Sequence, residues 1–274
     1  MIIGHQKQWQ FLKKISESGN IPHAFLFAGQ ERIGKKKVAF EWVSEIFKEE
    51  IGSIHPDFTI VEPEGKEIQI SQIKELIKGL SLKPYSAPIK VALIDNAHLM
   101  NAEAQSCLLK TLEEPKGDTL LILVSDQPSA LLPTIISRLQ TVKFYPVPKG
   151  EMKGLGESLG IYAGSPGMAL DFAKDPEKKI NFEKKIKEIE EISKSDLCQR
   201  FEYAKQIAED PTDIREVLKI WMSYFRNILL KRISEGGKLG KIKNILKSLQ
   251  EADYLTSKTN VNARLLLETL MIEF

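Results

Sequence analysis

Up to about Pro146 the chain alternates short, β-rich apolar runs with longer stretches whose apolar residues recur every three or four positions. That alternation predicts a parallel sheet covered by helices. The expected strands are Ala24–Ala28, Asp57–Val61, Lys90–Ile94, Thr119–Val124 and Gln140–Phe144. Between the second and third, Ile70, Ile73, Leu76, Ile77 and Leu80 mark one helix face, with Ser71 placed to start it. A further helix is expected from Ala102 to Glu113, because Asn101 can cap its free amides and Pro115 cannot continue it. Past Pro146 and Pro148 the strand pattern ends. A short Gly- and Pro-containing helical segment follows to about residue 180, and the rest to Phe274 is expected to be helical, with turns at Asp210-Pro211 and Gly236-Gly237 and a last helix starting at Asn262.

A chain of 274 residues predicts two or three domains. Its longest unbroken apolar runs, such as Val91–Ile94 and Leu120–Val124, fall far short of the roughly 20 residues needed to span a bilayer. The opening Met1-Ile2-Ile3-Gly4-His5 lacks the layout of a secretory signal, so a cytoplasmic location is expected. The 39 basic and 37 acidic side chains nearly cancel, leaving a net charge of +2, so any nucleic-acid contact must come from a local patch. One such stretch is basic: Arg226, Lys231, Arg232, Lys238, Lys241, Lys243 and Lys247, against Glu235 alone. It lacks interleaved aromatics for base stacking and reads as solvated helix surface; no DNA site is assigned to it. Cys107 and Cys198 each lie in a helical pattern without a second thiol nearby, and read as buried free cysteines.

The chemistry-bearing motif follows the first strand. Ala24–Ala28 runs directly into Gly29-Gln30-Glu31-Arg32-Ile33-Gly34-Lys35-Lys36, and Val38, Phe40, Val43 and Phe47 continue as an amphipathic stretch. Strand, loop and helix in this order, with Gly29 spaced to Gly34-Lys35 as here, make a Walker A phosphate loop. Its glycines let backbone amides face phosphates, and Lys35 reaches their outer oxygens. The next position should carry a hydroxyl that ligates magnesium, but Lys36 offers only donors and repels a cation. An apolar strand ending in Asp95 supplies the Walker B carboxylate, and the following Asn96 cannot take a proton from an attacking water. Nucleotide binding, ATP or ADP, is left open by these residues; hydrolysis is not expected.

Several motifs together resemble the clamp-loader branch of the AAA+ proteins, and within it the delta-prime-type subunits of bacterial DNA polymerase III. The string Asn101 to Pro115, ending Leu-Leu-Lys-Thr-Leu-Glu-Glu-Pro, is the most specific; Ile3-Gly4-His5-Gln6, Pro22-His23-Ala24-Phe25-Leu26-Phe27 and His55-Pro56-Asp57 are similar to family segments too. Leu132 to Leu139 resembles the family's Ser-Arg-Cys element, with Leu139 in place of the cysteine. The resemblance implies that Arg138 projects across a subunit interface to the phosphates of a neighbour's ATP, a task that suits a permanently charged bidentate guanidinium. Ser125, ending the fourth strand, stands at the family's sensor position. Gly164 to Leu170 is similar to the lid-helix motif, but the expected sensor arginine is Met168.

The implied architecture is an α/β P-loop (AAA+) domain over residues 1–147, degenerate in its motifs, a helical lid over 148–180 and an all-α collar over 181–274. In the last of these, Asn260 to Glu268 resembles the final collar helix, with Leu266, Leu267, Leu270 and Met271 as an apolar stripe. The implied role is a non-hydrolysing stator in a hetero-pentamer with motor (tau/gamma) and delta subunits, acting on a sliding clamp and primed DNA. Many family members carry a four-cysteine zinc knuckle before the His-Pro-Asp strand; residues 48–55 hold no cysteine, so no zinc or other metal is expected. Two alternatives remain at this level: an active motor subunit or helicase loader that tolerates Lys36, and a P-loop kinase, for which the helical tail offers no lid-arginine pattern.

Overall fold

The computed structural model describes residues 3–52, 55–115, 117–148, 151, 165–168, 172, 175–209, 214–258 and 261–274. The chain divides into two compact units, one of residues 1–154 with 164–168, the other of 155–163 with 169–274. Most of the expected lid and the Asp210-Pro211 turn lie outside the described residues.

In the first unit, helix α1 (Gln6–Ser18) precedes strand β1 (Ala24–Ala28), followed by α2 (Lys35–Phe47), β2 (Phe58–Val61), α3 (Ile70–Leu80), β3 (Lys90–Ile94), α4 (Ala102–Glu113), β4 (Thr119–Ser125), a short α5 (Pro133–Ile136) and β5 (Gln140–Lys143). The strands form one parallel sheet in the order β2-β3-β4-β1-β5. Successive side chains of a strand point to opposite faces, and β1 divides accordingly. Ala24, Leu26 and Ala28 join Ile73, Leu76, Ala104, Leu108 and Leu112 of α3 and α4 in one buried layer. Phe25 and Phe27 face Leu12, Val38, Trp42 and Val43 of α1 and α2 on the other. Every residue of β1 and β3 is buried, as the continuous apolar runs require of central strands covered on both sides.

The expected strands agree with these to within one residue at each end, and α4 begins on its Asn101 cap, whose side chain accepts from the Ala104 amide at 2.8 Å. Two differences have local causes. Helix α3 is capped by Gln69, which exchanges reciprocal hydrogen bonds with Gln72, so Ser71 sits inside the first turn. Helix α1 has no counterpart among the expected elements, although Trp9, Leu12 and Ile15 recur at helical spacing and pack on the α2 side of the sheet. Trp42 ties it to α2 by donating to Ser16 Oγ at 2.8 Å and to the Leu12 carbonyl at 3.1 Å.

The second unit is helical among its described residues: α6 (Pro176–Ile192), α7 (Leu197–Ala208), α8 (Ile214–Ser234), α9 (Gly240–Lys258) and α10 (Ala263–Glu273). Asn262 caps α10 by accepting from the Leu265 amide. Leu267, Leu270 and Met271 are buried with Trp221, Phe225 and Leu249, and Leu266 packs against them, so the apolar stripe of α10 serves this unit's own core. Leu265 and Ile272 are left exposed. In the basic stretch all of the residues are exposed except the half-buried Arg226. Cys198 departs from expectation. It lies in the first turn of α7 on the solvent side and is exposed, whereas Cys107 is half-buried against the α3–α4 layer. No helix among the described residues is long and apolar enough to cross a membrane.

Candidate functional site

In a parallel sheet every strand ends at the same edge, and ligand sites form beyond those carboxyl ends. Here that edge carries Gly29 after β1, Glu62 after β2, Asp95 after β3 and Ser125 at the end of β4. The Gly29 amide donates to the Ser125 carbonyl at 3.2 Å, and the Asp95 amide to the Val61 carbonyl at 2.9 Å, so the ladder itself sets their spacing.

The loop from Gly29 to Gly34 needs both glycines. A Cβ on Gly29 would collide with the Phe144 carbonyl oxygen and come within 2.9 Å of Ile33. Gly34 has a left-handed backbone (φ 103°) at the point where α2 begins, with open space above it. Lys35 is only 5% exposed and folds back over the loop, donating to the carbonyls of Gly29 at 2.6 Å and Gln30 at 2.5 Å. Burial lowers its pKa to about 8, against the opposing pull of Asp126, Glu31 and Asp95.

Lys36 occupies the position of the magnesium-binding hydroxyl, and its ammonium lies on two carboxylates. It pairs with Glu62 and stands 3.1 Å from Asp95 Oδ2. Partial burial works against its charge, but the hydrogen bond to Glu62 and the charge of Asp95 outweigh it and raise the pKa. A hydrated divalent cation does not fit these residues as they stand, because the cation position between the carboxylates is taken. Asn96 adopts a left-handed conformation (φ 50°) that turns the chain from β3 into the 97–99 turn, a position asparagine tolerates better than most residues.

Ser125 is 1% exposed. Its Oγ lies 3.4 Å from His98 Nδ1 and accepts from the Gln127 amide at 3.1 Å, while His98 Nε2 is 3.0 Å from Asp126 Oδ1. The family-like segments meet this edge as well. His5 donates from Nε2 to the Ile33 carbonyl at 2.8 Å and stacks edge-on against Phe144, and the Gly167 amide donates to the Arg32 carbonyl at 2.8 Å. A side chain on Gly167 would stand 2.5 Å from that carbonyl, so the Gly-Met168 segment lies with its backbone against the loop. Gly164, Ala169 and Leu170 of the same motif are outside the described residues.

Arg138 is not part of this cluster. It precedes β5, whose register pairs Gln140 with Phe25, and so lies at the amino edge of the sheet. A five-residue strand, about 16 Å of chain, separates that edge from the phosphate loop. There Arg138 Nη2 is 2.8 Å from Glu113 Oε1 and Nη1 donates to the Thr134 carbonyl at 2.8 Å. His23, next along this edge, donates from Nε2 to the Leu112 carbonyl at 3.0 Å. Asp57 of the His-Pro-Asp segment is buried and accepts from the amides of Tyr85, Ser86 and Ala87 at 2.7 to 2.9 Å, with Lys90 Nζ 3.3 Å away. Its role is therefore to hold the 85–87 loop.

Reading the sequence by motif identified Gly29, Gly34, Lys35, Lys36, Asp95, Ser125 and Arg138, but not Glu62, His98, Asp126 or Glu113. Glu62 is the first residue past β2, and position after a strand of a parallel sheet was a usable signal. His98 and Asp126 come together only through the pairing of β3 with β4. Among the described residues, no group of three or more His, Cys, Asp or Glu side chains is placed to hold a metal ion.

The sheet order, the glycine loop between β1 and α2 and the acidic strand end at Asp95 define a P-loop protein of the AAA+ type. The chain belongs to the DNA polymerase III delta subunit family, whose model matches residues 4–148. It is 37% identical over 134 residues to a DNA polymerase III subunit delta' of Pseudomonas aeruginosa, covering 42% of this chain and 41% of that one. To the subunit delta' of Bacillus subtilis it is 33% identical over 195 residues, 66% of this chain and 56% of the other. The chain thus spans about half the length of these curated relatives. A solved DNA polymerase III gamma subunit-related protein of Thermotoga maritima shares the fold with a TM-score of 0.56 at 21% identity, over 97% of both chains.

Proposed function

We propose that this chain is a delta-prime-type stator of a DNA polymerase III clamp loader: it does not hydrolyse ATP itself and supplies Arg138 in trans to the ATP of a neighbouring motor subunit. The observation that carries the reading is the Lys36 ammonium on Asp95, in the place where a hydrolysing P-loop protein of this type holds magnesium. Asn96 in place of a water-activating carboxylate and Met168 in place of a sensor arginine support it, since each removes a separate contribution to phosphoryl transfer. Arg138 supports the second half. It stands at the sheet edge opposite the chain's own loop, partly exposed, where a guanidinium serves a neighbour rather than its own site.

The partners of this reading are motor (tau/gamma) and delta subunits in a hetero-pentamer that opens a sliding clamp and closes it on primed DNA. ATP or ADP, where bound, is retained without turnover. The test is the ATPase rate of the purified chain alone, then with motor and delta subunits, clamp and primed DNA. The expected result is no turnover alone, full activity only when this chain completes the assembly, and a sharp fall with Arg138→Ala. Steady hydrolysis by the isolated chain, abolished by Lys35→Ala, would instead establish an active motor subunit. Unchanged DNA-stimulated activity with Arg138→Ala would remove the trans role.

A further inference from the structure

The carboxyl edge of the sheet holds a cation of its own. Glu62 follows β2 and Asp95 follows β3, and the pairing of Val61 with Ile94 makes these two carboxylates neighbours at the ends of adjacent strands. Two carboxylates side by side on rigid strands repel one another unless a positive charge lies between them. In related P-loop sites that charge is a divalent metal, shared between the strand-end Asp and the hydroxyl after the loop lysine. Here the residue after the loop lysine is itself the charge: Lys36 leaves the first turn of α2 and reaches both carboxylates, pairing with Glu62 and standing 3.1 Å from Asp95 Oδ2. An ammonium cannot share that space with a magnesium ion, whose octahedral shell at about 2.0–2.1 Å needs the same oxygens.

We propose that Lys36 is a built-in replacement for the metal, so that Glu62 and Asp95 form a latent divalent-cation site that the chain itself has filled. The proposal goes beyond the loss of hydrolysis. It states that the acidic half of the metal site is intact and that one side chain closes it. It also has a structural consequence: the ion pair ties the start of α2 to the ends of β2 and β3, a tether that a metal and its nucleotide supply only when bound. Lys35 is satisfied separately, by the loop carbonyls of Gly29 and Gln30, and does not compete for the carboxylates.

The experiment uses Mn²⁺ alone as the probe, with the full chain, and reads bound ion by electron paramagnetic resonance and by calorimetry. Wild type is expected to show no saturable site. Lys36→Thr, which restores the hydroxyl and removes the ammonium, is expected to bind one Mn²⁺ saturably, with Mg²⁺ competing. Adding Asp95→Asn to Lys36→Thr is expected to abolish that site. Lys36→Ala, favourable at a helix position, is measured alongside, so that a folding defect of one variant leaves the other to decide. Saturable one-to-one binding by wild type that Asp95→Asn removes would overturn the proposal. So would a folded Lys36→Thr or Lys36→Ala that binds no better than wild type. Neither readout involves Arg138 or a neighbouring subunit, so failure here and failure of the stator reading are told apart.

Discussion

Arg138 Nη2 stands 2.8 Å from Glu113 Oε1, which joins the end of α4 to the segment between α5 and β5. The two residues lie 25 positions apart in the sequence, and the sheet's amino edge brings them together. Glu113 orients the guanidinium while leaving it partly open to solvent. Exposed pairs of this kind contribute about 1 kcal/mol or less. Arg138→Ala is therefore expected to leave the urea midpoint of the isolated chain nearly unchanged while lowering the ATPase of the assembled complex. A large loss of stability in the isolated chain would mean that Arg138 is structural.

Lys35 sets a pH dependence. Its native pKa of about 8 lies below the ordinary 10.5, so between those values the unfolded chain holds the proton that the folded chain has released. By linkage, stability contributed by this group rises as pH increases from about 8 to 10.5, and is flat below. The Cε resonance of Lys35 should titrate with a midpoint near 8. A midpoint at the ordinary lysine value would show that the side chain leaves the loop carbonyls for solvent.

Asp57 acts in the opposite direction. Burial opposes its charge, but the amides of Ala87, Ser86 and Tyr85 and the Lys90 ammonium hold its pKa far below the usual 3.8. Its contribution is thus present above about pH 3.8 and is lost as the pH falls below it. Asp57→Asn keeps the shape, removes the charge and leaves Lys90 uncompensated, which is expected to cost about 3 kcal/mol at neutral pH. Urea unfolding at pH 7 checks the magnitude, and the gap between variant and wild type should narrow in acid.

Asn101 tests the local origin of α4. Its side chain satisfies the Ala104 amide, so Asn101→Ala is expected to cost about 1 kcal/mol of stability, and Asn101→Asp far less. Equal losses for the two, measured by thermal unfolding, would point to packing rather than capping.

The amino-acid sequence by itself determined those elements whose signal is local. Apolar runs such as Ala24–Ala28 and Lys90–Ile94 are fully buried strands because a central parallel strand must be apolar on both faces, and this is visible in the run. Asn101 and Asn262 announce their helices, and Gly29, Gly34 and Lys35 announce the loop between strand and helix, because caps and phosphate loops are built from neighbours in sequence. Helix α1 was not among the expected elements even though Trp9, Leu12 and Ile15 recur at helical spacing, and its tie to Trp42 of α2 appears only in the structure. Only the tertiary structure decided what the departures from the motif do. That Lys36 lies on Asp95 and Glu62, that Arg138 is held by Glu113 at the far edge from the loop, and that the stripe of α10 closes on its own unit each depend on residues far apart in the chain. Strand order and register set those meetings, and no local pattern encodes strand order.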